Sequence, residues 1–148
     1  MARQLRCELP DGVFHVTTLG VDETGIYRDD VDRVAFLRLL KLCVERFEWL
    51  VHVFCLMTTH YHLIVETTTE ELSRGLHLLN GAHALRFNKR HGRKGHLFGD
   101  RFASWVIEGD EYFEAACRYV LENPVRAGLC ERPSEWPWSG SRYGFEDT

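Results

Sequence analysis

Apolar residues change their period several times along the chain, and each change marks an element. Residues 13–19 (VFHVTTL) are rich in β-branched and aromatic side chains and predict a first strand. A polar turn holding Asp22, Gly25, Asp29 and Asp30 follows. Asp30 is placed to cap a helix whose apolar positions Val34, Leu37, Leu40, Leu42, Val44 and Phe47 mostly keep helical spacing. Residues 49–57 (WLVHVFCLM) form a nearly unbroken apolar run suited to a buried central strand, and 61–67 (YHLIVET) read as its antiparallel partner. Thr67 to Glu71 carries a helix-start signature, after which Leu72, Leu76, Leu79, His83 and Phe87 step along one helical face to about Arg90. Gly92 and Gly95 bracket a basic loop, and 102–108 (FASWVIE) alternate as a last strand. Asp110 opens a short helix that ends near Glu122, because Pro124 follows. The tail, with Trp136 and Trp138, is expected to fold back on its tryptophans. This order predicts an α+β, ferredoxin-like (βαββαβ) antiparallel sheet with helices on one face, followed by a C-terminal helix. Neither a repeat nor a linker interrupts the 148 residues, which are read as one domain over 1–148.

Composition narrows the class. Hydrophobic residues make up 45% and charged residues 27%, the balance of an ordinary soluble protein. No apolar stretch is long enough for a membrane span, and the N-terminal residues lack the apolar core of a signal peptide. The five cysteines include no CxxC pair, which argues against a disulfide framework or a zinc knuckle and for reduced thiols in a cytoplasm. The total charge of −4 hides a strong asymmetry. Arg74, Arg86, Lys89, Arg90, Arg93, Lys94 and Arg101 share their window with one acid, Asp100, giving a local +6 and leaving −10 elsewhere. His77, His83, His91 and His96 lie there too. Such a patch is either a nucleic-acid face or a solvated helix surface.

Three constellations can carry chemistry. In a strand, His60 and His62 share a face while Tyr61 takes the other; the two imidazoles are either paired ligands for one divalent ion or ordinary histidines on an exposed sheet. Tyr119 lies one helical turn before Asn123, so a phenol and an amide present together, unless the Tyr119 ring packs in the core with its hydroxyl on backbone. Residues 91–102 mix glycines, cations and Phe98 and Phe102, a composition suited to phosphates and stacked bases; His96 there is equally suited to a structural hydrogen bond. GxSxG, HExxH and P-loop motifs are absent.

Residues 56–65 (LMTTHYHLIV) resemble the hairpin of the single-tyrosine HUH transposases, and most nearly that of REP-associated tyrosine transposases, relatives of the insertion-sequence-200 type. The likeness continues through 72–75 (LSRG), 86–92 (RFNKRHG), 95–98 (GHLF) with Arg101 and Phe102, 118–129 (RYVLENPVRAGL) and 136–141 (WPWSGS). It departs where relatives usually carry Pro-Asn before the first histidine and this chain carries Thr58-Thr59. Relatives also often have Arg-Gly-Asn where Leu19-Gly20-Val21 stand, and a basic residue where Ala103 stands. The resemblance implies a metal-dependent single-stranded DNA endonuclease and strand transferase, with Mg²⁺ or Mn²⁺ on His60 and His62 and Asn123 as a weaker third ligand. It makes Tyr119 the nucleophile, forming a 5′-phosphotyrosine link. Arg74, Arg86, Lys89, Arg90, Arg93, Lys94, His96 and Arg101 would grip single-stranded or hairpin DNA of the repetitive palindromic type, with a homodimer left open and no membrane involved. The competing reading is a domesticated DNA- or RNA-binding domain without catalysis; a weaker third is a small metal-dependent hydrolase that uses HxH.

Overall fold

The histidine strand takes the centre of the sheet, flanked by the first strand and by the apolar run 49–57, because all three are rich in β-branched or aromatic residues. The computed structural model describes residues 12–99 and 102–142. In chain order the elements are β1 (Gly12–Leu19), α1 (Asp30–Phe47), β2 (Leu50–Leu56), β3 (His60–Thr67), α2 (Thr69–His91), β4 (Ala103–Val106), α3 (Asp110–Leu121), α4 (Asn123–Arg126) and β5 (Ser139–Ser141). The five strands lie in the order β4-β1-β3-β2-β5, all neighbours antiparallel. The first four give the ferredoxin-like arrangement expected from the element order.

Each sheet face has its own core. On one side Phe14, Val16, Tyr61, Leu63 and Val65 meet α1 and α2 through Phe36, Leu40, Leu72, Leu76 and Leu79. On the other side Val53, Cys55 and Ile64 meet Ala116, Cys117, Val120 and Leu121 of α3. Thus α1 and α2 share one face, and α3 closes the opposite one. Strand alternation lets the apolar run 49–57 feed both cores, and a bulge between Val51 and Val53 puts Val51 on the same side as Phe54 and Leu56. No helix among the described residues is long and apolar enough to cross a membrane.

Two local expectations for α1 are corrected, and the tail, which does fold back through its tryptophans, adds a strand. Asp29, not Asp30, caps α1, its side chain accepting from Asp32 N. The buried stripe of α1 runs through Asp32, Phe36, Leu40, Cys43 and Phe47, whereas Val34 and Leu42 are exposed. The tail contributes β5, and it also binds the neighbouring turn: Leu56 N donates to Trp138 O (2.8 Å) and Trp136 Nε1 to Leu56 O (3.1 Å). The Arg33 guanidinium lies over Tyr27, Trp136 and Trp138, which ties the tail to α1. Among the described cysteines all four are free and three are buried.

Candidate active site

The turn Thr58-Thr59 joins β2 to β3 and fixes the start of the histidine strand. Its carbonyls are claimed from outside, by Gly20 N on Thr59 O (2.8 Å) and Ile26 N on Thr58 O (2.9 Å). Met57 N donates to His60 O (2.9 Å) and closes the hairpin. Strand alternation then sends Tyr61 into the α1/α2 core and His60 and His62 toward the face covered by α3.

The two imidazoles meet edge to face, ring centres 5.0 Å apart. His62 is 8% exposed, so it does not lie on an open sheet surface. Burial, reinforced by His15, His60 and Arg126, lowers its pKa to about 3, and burial also lowers that of His60. Both rings are therefore neutral near pH 7, the form that donates a lone pair to a metal. One nitrogen of each is occupied: His60 Nδ1 faces Thr59 Oγ1 (3.2 Å), and His62 Nδ1 faces His15 Nε2 (2.9 Å).

α3 brings Tyr119 to this pair. Its ring centre lies 6.4 Å from His62 and 6.2 Å from His15, and the side chain is 52% exposed. The core-packed alternative for Tyr119 is thereby removed. The Arg126 guanidinium stacks on the Tyr119 ring (4.1 Å) and donates to Tyr119 O (2.6 Å). Asn123 does not continue α3, which ends at Leu121; it opens α4 one turn beyond Tyr119. Its Nδ2 is buried without a hydrogen-bond partner. An apolar groove of about 430 Å³ runs alongside, lined by His15, Trp105, Tyr112, Ala115, Ala116 and Tyr119.

His15 and Arg126 were missed as site residues by the sequence reading. The signal for His15 existed: antiparallel pairing of β1 with β3 sets Thr17 opposite His62 and puts His15 on the same face, two residues away.

No cluster of three or more His, Cys, Asp or Glu side chains suited to a metal occurs among the described residues. The donor set brought together is two neutral imidazoles, with the Asn123 amide one helical turn beyond Tyr119. It fits an open site that leaves positions for water and a phosphate oxygen, and not a closed structural one.

The expected DNA-binding cations divide into two groups. Arg90 pairs with both oxygens of Asp29 (2.7 Å each) and with Asp32 (2.8 Å), so its guanidinium is spent on tying α2 to α1. Arg93 donates to the Asn88 side chain and to the Gly95 and His96 carbonyls, shaping the basic loop. Arg74 pairs with Glu71 on its own helix. Arg86, Lys89 and Lys94 are exposed and have no ion pair among the described residues. His96, also exposed, borders a groove of about 770 Å³ with His77, Asn80, Phe98 and Phe102. Arg101 lies outside the described residues.

The family model described as transposase, IS200 like, matches residues 12–123. No curated protein sequence matches the chain. Among solved structures, a REP-associated tyrosine transposase bound to a REP hairpin superposes with a TM-score of 0.73 at 17% identity, over 94% of this chain and 82% of the other. A candidate transposase from Deinococcus radiodurans superposes with a TM-score of 0.55 at 16% identity, over 82% of this chain and 96% of the other. At these identities the two likenesses speak for the fold.

Proposed function

Because this chain belongs to the IS200-like transposase family, we propose that it nicks and rejoins single-stranded DNA through a covalent link to Tyr119. The observation that carries the reading is the convergence of His60, His62 and Tyr119 from two separate elements on one sheet face. Of the described tyrosines, Tyr27 and Tyr61 are buried, and Tyr112 lies two turns earlier on α3; Tyr119 alone among them combines exposure with ring contact to His62.

In this account His60 and His62 would hold Mg²⁺ or Mn²⁺, with the Asn123 amide, one turn beyond Tyr119, as a further ligand. Such an ion neutralises charge on the scissile phosphate and orients it. Tyr119 Oη forms a bond to phosphorus as the bond to the 3′ oxygen breaks, leaving a 5′-phosphotyrosine and a 3′-hydroxyl. Attack by another 3′-hydroxyl reverses the step, releases Tyr119 and joins the strands without external energy. Arg126, stacked on the phenol, sets the ring and places a cation beside the developing charge.

Arg86, Lys89, Lys94 and the His96 groove supply backbone contacts to single-stranded or hairpin DNA. The structural neighbour's REP hairpin makes a hairpin the first substrate to test. A domesticated binding domain is the second reading, favoured by the lack of a third acidic or imidazole donor among the described residues. Incubation of labelled hairpin oligonucleotides with Mn²⁺ separates the two. His60→Ala and His62→Ala should each stop nicking while retaining hairpin affinity. Hairpin binding by the wild type without nicking under any divalent metal would favour the binding domain.

A further inference from the structure

We infer that His15 is a positioning residue for His62: it accepts the Nδ1 proton of His62 and so leaves His62 Nε2 as the ring's free lone pair. The inference rests on the metal reading of the His60–His62 pair.

The geometry begins with the sheet. β1 and β3 pair with His15 opposite Ile64 and Thr17 opposite His62, so His15 sits diagonally from His62 on the face covered by α3. Its Nε2 lies 2.9 Å from His62 Nδ1. Trp105, opposite His15 on β4, packs against its ring at 5.3 Å, and Tyr119 abuts its edge at 6.2 Å. The bond thus joins two rings that are each held by strand and neighbour.

A neutral imidazole carries one N–H and one lone pair. Two proton arrangements therefore satisfy the 2.9 Å contact. If His15 Nε2 were the donor, His62 would keep its own proton on Nε2 and neither of its nitrogens could bind a cation. If His62 Nδ1 donates, His62 Nε2 is open and His15 carries its proton on Nδ1. Metal-ligating histidines generally use the second nitrogen in this way, and their partners steer both tautomer and ring orientation. The partner here is a neutral imidazole, where a carboxylate is common, so it orients the ligand without adding negative charge.

Two measurements test this. Nitrogen-15 NMR of the histidine rings in the metal-free wild type should show His62 protonated at Nδ1, and a His62 protonated at Nε2 would overturn the inference. Mn²⁺ affinity, read by the electron paramagnetic resonance of the free ion, should fall about tenfold or more in His15→Phe, in line with lost ligand-orienting partners. His15→Gln, whose Oε1 can accept the same bond, should stay much closer to wild type. Thermal melting shows whether each variant is folded, and the NMR result needs no variant. Equal Mn²⁺ affinity in folded wild type, His15→Phe and His15→Gln would remove His15 from the account and leave the metal reading standing. No Mn²⁺ uptake by the wild type would remove the metal reading itself.

Discussion

Tyr61 and Tyr119 are the same residue type in opposite physical states. Tyr61 is fully buried, donates its hydroxyl to Asn80 Oδ1 (2.5 Å) and accepts from Thr18 Oγ1 (2.9 Å). Burial pushes its pKa up, and its ring belongs to the core. Tyr61→Phe should therefore cost about 1–3 kcal/mol, because two polar side chains lose a buried partner. Tyr119→Phe should leave stability unchanged, and urea titration of the two variants checks both outcomes. His83 gives a pH prediction of definite sign. It is buried, with Nε2 on the Ile26 carbonyl (2.8 Å), and burial lowers its pKa from 6.5. Below about pH 6.5 the unfolded chain takes up a proton that the folded chain resists, so stability is full above that pH and declines below it. His15, His60 and His62 share the sign. Unfolding midpoints should fall between pH 7 and pH 5, and less steeply in His83→Leu; an equal slope in the variant would remove His83 as a contributor. At this scale spacing alone put both histidines on one face, whereas the nucleophile role expected of Tyr119 came from the family resemblance. The sequence did not disclose His15 or Arg126: His15 reaches His62 through strand pairing, and Arg126 returns its side chain to the Tyr119 ring from α4.

The helices show where periodicity suffices. All five positions read as the inner face of α2 are buried, because Leu72, Leu76, Leu79, His83 and Phe87 keep strict spacing. α1 is rotated from its reading: exposed Val34 and Leu42 counted as core, while the buried stripe passes through Phe36 and Cys43. β5 escaped entirely, since Ser-Gly-Ser carries no pattern; Gly140 lets Phe54 approach where a Cβ would lie 3.0 Å from its ring. A pair of glycines in α2 tests the packing. A Cβ on Gly75 would sit 2.2 Å from Trp49 Cζ2, against an indole anchored by Nε1 donating to Glu71 O (3.1 Å). Gly75→Ala should lower stability by about 1–3 kcal/mol through overpacking. Gly81, in the same helix, has nothing within 4 Å of the place a Cβ would take, so Gly81→Ala should raise stability by about 0.5–1 kcal/mol. Thermal melts of the two variants should move in opposite directions.

Over the whole molecule, the sheet separates two tasks, with the α1/α2 core on one face and the histidine–tyrosine cluster under α3 on the other. The element order made this topology legible, whereas the charge count overstated the free cations. Arg90 and Arg93 are engaged within the fold, whereas Arg86, Lys89 and Lys94 are exposed and have no ion pair among the described residues, which makes them the proposed phosphate contacts. Replacing those three with Ala should flatten the log–log salt dependence of single-strand binding by about 2 units, at about 0.7 per contact. Arg90→Ala should act instead on stability, by leaving the buried Asp32 carboxylate with one fewer partner. Both effects concern grip and scaffold; the proposed activity itself turns on the covalent step. Trypsin cuts on either side of residues 119–126, after Arg118 and Arg126, which isolates Tyr119 in a short peptide. Wild-type protein incubated with hairpin DNA and Mn²⁺, digested with nuclease and trypsin, should yield that peptide carrying a 5′-linked nucleotide in the mass spectrum, and Tyr119→Phe should yield none. Nicking with the adduct on another peptide, or undiminished nicking by Tyr119→Phe, would show that Tyr119 is not the nucleophile.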